Sequence, residues 1–166
     1  MAVSHARVTD PRTVAGDVRL DIETAGFRPD PSGSQLGMFA LFTTVQGIEP
    51  DFKDNLAIVL TRFVVDSTVD VNDLFDHAFV EARSLADWTE QRADRYPITS
   101  RTQGASIQAG SYRDSAGRWL YTVNKYEVYQ RANVAYLLQC TGTTVSQDIS
   151  TWSTLIDAVS SVRFDD

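Results

Sequence analysis

A chain of 166 residues with 43% apolar content is long enough to bury one substantial core, so a single domain is expected. Its formal net charge of −7 argues against a nucleic-acid partner, because phosphate binding needs clustered Lys and Arg, and favours a cationic partner or a neutral surface. The lone Cys140 excludes an intramolecular disulfide and a thiolate metal cluster, and fits a reducing compartment.

Residues 1–15 are read as an N-terminal tail, and 16–166 as the domain. The opening twenty residues hold no apolar segment of signal-peptide length, and no window approaches the ~18 apolar residues of a membrane span. A cytoplasmic location is therefore expected, with envelope association only if a signal or lipid-attachment segment has been removed. Val18, Leu20 and Ile22 alternate with Asp17, Arg19 and Asp21, the period-2 pattern of a strand with one wet face. The segment TAGFRPDPSGSQLG, broken by Pro29, Pro31, Gly33 and Gly37, reads as a long hairpin loop, and GMFALFTTVQ as the returning strand.

In PDFKDNLAIVLTRFVVD, Leu56, Ile58 and Leu60 share one face of a strand while Ala57, Val59 and Thr61 share the other. Both faces are apolar or nearly so, and such a strand asks for helical cover on both sides. Asn55 stands where the turn enters this strand, and its amide is expected to tie the turn to free backbone groups. An amphipathic helix follows, with Val71, Leu74, Phe75, Ala78, Phe79, Ala82 and Leu85 at three- and four-residue spacing and Asp70 as its N-cap. Beyond Pro97 comes a meander of aromatic and β-branched strands: GASIQAGSY, a turn at RDSAG, RWLYTVNKYEVYQ, a turn at RAN, and VAYLLQCTG. Ile149, Trp152, Leu155, Ile156 and Val159 then outline a second helix, capped by Ser146 or Asp148. Strands, helix, hairpin-linked strands and helix predict an α+β sandwich, a mainly antiparallel sheet flanked by helices.

Phe52 and Asn55 before LAIVL, the amphipathic helix, the G-S-Y strand with its hairpin, and VAYLLQCTG before a terminal helix occur in an order that resembles the LpqN-like proteins of actinobacteria. The resemblance spans about residues 16 to 164 and implies the Mog/PsbP-like fold. It departs from that group in lacking a lipoprotein signal and an N-terminal lipidated cysteine. What it implies about activity is a non-catalytic accessory or binding module. The soluble acidic members of the related DcrB-like branch imply a second reading, a small cytosolic chaperone or adaptor for a secreted or effector client.

No catalytic residue, metal site or cofactor is predicted. His5 and His77 are the only histidines, and His77 lies between Asp73 and Glu81 on the polar face of the first helix, the place of a solvated side chain. No G-x-S-x-G elbow supplies a nucleophile, so a hydrolase would need a site assembled only in three dimensions. Asp66, Asp70, Asp73 and Asp76 lack the spacing and central glycine of a calcium loop, and no phosphate-binding glycine motif occurs. The candidate binding residues are Trp119, Tyr121 and Tyr129 on one parity of the long strand, with Tyr112 and Tyr136 on its neighbours. Such a row suits a groove for an apolar ligand or protein segment. It equally suits cross-strand packing under a helix. Arg113 and Arg118 flank the intervening turn, Trp88 is expected at the rim, and the oligomeric state is left open.

Overall fold

A computed structural model describes residues 4–7, 18–19, 26–45, 51–65, 70, 72–96, 102–131 and 133–164. In chain order the elements are β1 (Ser4–Arg7), β2 (Val18–Arg19), β3 (Phe27–Pro29), α1 (Ser32–Gln35), β4 (Ala40–Thr44), β5 (Asn55–Val64) and α2 (Asn72–Arg83). They continue with β6 (Thr89–Tyr96), β7 (Thr102–Arg113), β8 (Trp119–Arg131), β9 (Val134–Thr144), α3 (Ile149–Ser161) and β10 (Arg163–Phe164). The main sheet is antiparallel in the order β3-β4-β5-β9-β8-β7-β6, with β1 beside the second half of β5, while β2 and β10 form a separate ladder. The expected α+β architecture is therefore present.

Helices α2 and α3 sit on opposite faces of the sheet. Leu56, Ile58, Leu60, Val123, Leu138 and Cys140 point to one face and bury against Leu155, Ala158 and Val159 of α3. At Gly142 a Cβ would stand 2.7 Å from Leu155 Cδ1 and 2.8 Å from Val159 Cγ2, so the missing side chain is what seats α3 on β9. Val128, Ala135 and Leu137, of the other parity, pack with Phe75 of α2. Asp148 caps α3 as expected, its carboxylate accepting from Ser150 N at 3.2 Å. Asp114 closes the β7–β8 hairpin, its Oδ1 accepting from Ala116 N at 2.9 Å and Arg118 N at 2.8 Å. Asn55 Nδ2 donates to Lys53 O at 3.2 Å, tying turn to strand in an exposed setting.

Several expectations need correction. The supposed long loop contains β3 and α1, and Gly33 in α1 lies so close to β4 that a Cβ would stand 2.6 Å from Leu41 Cβ. Thus β4 returns to β3, whereas Val18 pairs with Phe164 of β10; Leu20 and Ile22 lie outside the described residues. Within the expected tail, Ser4–Arg7 pairs with β5. Strand β6 occupies a stretch for which the sequence pattern predicts no strand. Ile149 is 75% exposed, so it adds nothing to the apolar face of α3.

Strand β6 is tied to α2 by charge. Arg83 Nη2 donates to Glu90 Oε1 at 2.7 Å and Arg83 Nε to Oε2 at 2.8 Å, while Gln108 Nε2 donates to Glu90 Oε2 at 2.8 Å. The Arg83 guanidinium, with Gln108 behind it, lowers the Glu90 carboxyl to about 2. A depressed carboxylate contributes stability that is full above the unfolded value and is lost as pH falls through the folded one. Stability attributable to Glu90 should therefore decline between pH ~4.5 and ~2, by about 1 kcal/mol after allowance for solvent screening of the exposed arginine. Urea unfolding midpoints across that window should show this component in the wild type and lose it in Glu90→Gln.

Candidate functional site

The five aromatic residues singled out from the sequence do not form one row. Tyr121, Tyr129 and Tyr136 share the α3 face, the last two ring to ring. The Tyr121 ring stacks on Trp152 with centroids 4.3 Å apart and planes 6° off parallel, and it is buried. Tyr129 lies between Tyr136 at 6.5 Å and Phe164 at 5.7 Å. Trp119 stands apart at the start of β8, 38% exposed, with the Arg113 guanidinium 4.5 Å above its ring. Tyr112, in register with Leu120, is half-buried on the face opposite Tyr121. Both turn arginines have carboxylate partners: Arg113 Nε is 3.3 Å from Asp87 Oδ2, and Arg118 Nη2 is 2.8 Å from Asp114 Oδ2. Trp88 packs on Gly110, where a Cβ would stand 2.5 Å from its ring.

Further along the α3 face β8 turns inward two charged residues that sequence reasoning passed over. Lys125 Nζ donates to Ser160 O at 3.0 Å and Val162 O at 2.6 Å, and lies 3.3 Å from Glu127 Oε2. Glu127 Oε1 accepts from Phe164 N at 3.3 Å. A lysine suits this place because the last carbonyls of a helix carry its negative dipole end. Beside it a cleft of about 280 Å³ opens between the end of α3 and the β6–β7 edge, lined by Tyr96, Ala105, Ile107, Lys125 and Ser160. Its wall is apolar apart from the lysine and serine. The available signal was Lys125 and Glu127 at i, i+2 on the parity of Tyr121, Val123 and Tyr129.

A second cleft, of about 240 Å³, lies on the opposite face beneath α2. The helix contributes Ala78, Glu81 and Ala82, the turn after it Leu85, and the sheet Asn124, Tyr126, Gln139 and Thr141. The sheet residues are cross-strand pairs, Asn124 with Thr141 and Tyr126 with Gln139. Thr141 Oγ1 donates to Asn124 Oδ1 at 2.9 Å, and the Tyr126 hydroxyl is hydrogen-bonded to Gln139. Burial, more than the Glu81 charge nearby, pushes the Tyr126 phenol up.

His77 is exposed on α2 and lines neither cleft. Burial pushes the Cys140 thiol up to about 12, which keeps it a neutral packing group. Among the described residues no three His, Cys, Asp or Glu side chains gather where they would hold a metal ion.

The family model described as probable lipoprotein LpqN matches residues 16–162. Among solved structures the chain is similar to LpqN of Mycobacterium tuberculosis, a protein involved in cell envelope biogenesis. The TM-score is 0.74 at 16% identity, over 96% of this chain and 87% of that one, a likeness of fold. No curated protein matches the chain. The family match overturns the cytoplasmic location expected from hydropathy, since probable lipoproteins point to the cell envelope. The physical reason is that acyl chains bury their own methylenes in the bilayer, so a lipid-anchored protein needs no apolar span for a hydropathy scan to find. Among the described residues no helix is long and apolar enough to cross a membrane.

Proposed function

Because the chain belongs to the LpqN family of probable lipoproteins, we propose that it is a non-catalytic binding or accessory protein of the cell envelope, holding an apolar ligand or a protein segment against its sheet. The observation that carries this reading is the apolar cleft between Tyr96, Ala105 and Ile107 at the end of α3. Apolar surface kept in a concave wall favours an apolar occupant by about 25 cal/mol per Å² removed from water. The involvement of the mycobacterial LpqN in cell envelope biogenesis supports an envelope role of the same kind. The edges of the sheet do not invite strand addition: β3 is short and ends at Pro29, and β6 carries Glu90, Arg92, Asp94 and Arg95.

Titration with the apolar fluorophore N-phenyl-1-naphthylamine tests the cleft. Saturable binding is expected, about tenfold weaker in Tyr96→Ala and in Ala105→Phe, the first removing an aromatic wall worth ~1.4 kcal/mol and the second filling the space. Binding that stays unsaturated, or that both variants leave unchanged while retaining the wild-type melting temperature, would remove the basis for this assignment.

A further inference from the structure

We propose that the cleft beneath α2 is a receptor for one alkyl-linked cation, a lysine or arginine side chain presented by a protein partner. A helix laid on a sheet ordinarily buries apolar side chains at the contact. Here the sheet offers Asn124, Tyr126, Gln139 and Thr141 instead, and the small Ala78 and Ala82 leave the space above them open.

The balance of donors and acceptors selects the occupant. On the next strand of the same face, Gln108 is in register with Asn124 and Ser106 with Tyr126. Beside the cleft, though outside its lining, Gln108 Oε1 is an acceptor without a hydrogen-bond partner in a residue 2% exposed. The face is short of a donor at that position. An ammonium brings three and a guanidinium five, and neither brings an acceptor. Glu81 is the one charged residue of the lining, and among the described residues no cation pairs with it. Glu81 is part of the cleft wall, near enough to Tyr126 for its charge to be felt by the phenol. With the chain at −7, the whole-molecule field also draws cations and repels anions.

The shape of the cleft points to a side chain entering from a partner. Leu85 and the two alanines would flank a methylene stem, and the Tyr126 ring would offer its face to the charge.

The test is an amide-resolved NMR titration of the full chain with N-acetyl-arginine methylamide and N-acetyl-lysine methylamide. The uncharged isostere N-acetyl-citrulline methylamide and the polyamine spermidine serve as comparisons. Saturable shifts are expected at Glu81, Asn124, Tyr126 and Gln139. Affinity should be about tenfold weaker for the citrulline compound, and about tenfold weaker in Glu81→Gln, whose exposed position leaves the fold intact. Spermidine should bind no tighter than the lysine compound. Equal affinity for citrulline would reassign the cleft to a neutral hydrogen-bonding ligand and overturn the proposal, as would an unchanged Glu81→Gln. Spermidine more than tenfold tighter would mean a free polyamine and overturn the side-chain assignment. Absence of saturable shifts at these residues would overturn it outright. None of these outcomes touches the apolar cleft, which opens on the other face.

Discussion

Lys125→Met is expected to lower the unfolding free energy by about 3–5 kcal/mol, the usual cost of removing one partner from a buried ion pair. The side chains of Lys125 and Glu127 are 11% and 7% exposed, so neither charge can fall back on water. Removing the ammonium strands the Glu127 carboxylate together with the carbonyls of Ser160 and Val162, which have no replacement donor in a methionine. The loss should be felt where the pair fastens things, at the end of α3 and at β10, since Lys125 binds one and Glu127 the other. The double variant Lys125→Met, Glu127→Leu removes the stranded charge and should regain at least half of the loss. Urea unfolding of the wild type, both single variants and the double variant measures this coupling. A double variant as unstable as the sum of its parts would show that the pair is not the source.

What was legible in the sequence follows from which forces act locally. Helices α2 and α3 bury a stripe at three- and four-residue spacing, and β7 to β9 alternate aromatic and β-branched residues, so their patterns survive without tertiary information. Strand β6, TEQRADRY, has no apolar parity to read: as the edge strand it is wet and charged, and its conformation comes from the ladder with β7 and the Arg83–Glu90 contact. Helix α1 exists because Gly33 fits against Leu41, a contact invisible in sequence. The clefts show the same limit more sharply. Alternation tells which residues of β8 share a face, and the parity of Trp119, Tyr121 and Tyr129 is the more aromatic one. The other parity, with Asn124 and Tyr126, carries the polar cleft, and only the small Ala78 and Ala82 that α2 turns toward it leave it open.

Trp152→Ala should be the second most damaging of these substitutions, at about 3 kcal/mol. The indole stacks on the buried Tyr121 ring, and its Nε1 donates to Ser146 O at 2.7 Å, so one side chain fastens the turn before α3 and covers β8. Alanine opens a cavity over Tyr121 and leaves a carbonyl without its donor, two costs that add because different atoms bear them. Trp152→Phe keeps an aromatic face on Tyr121 and forfeits the hydrogen bond, which should cost about 1 kcal/mol. For a chain of this length the alanine variant should melt roughly 6–12 °C below the wild type, with the phenylalanine variant between them. A phenylalanine variant as unstable as the alanine one would place the energy in the hydrogen bond rather than in the stack. Because Trp152 lies on the α3 face, the alanine variant should still bind N-acetyl-arginine methylamide with wild-type affinity while folded, which separates the stack's part in holding the sheet together from the cleft on its far side.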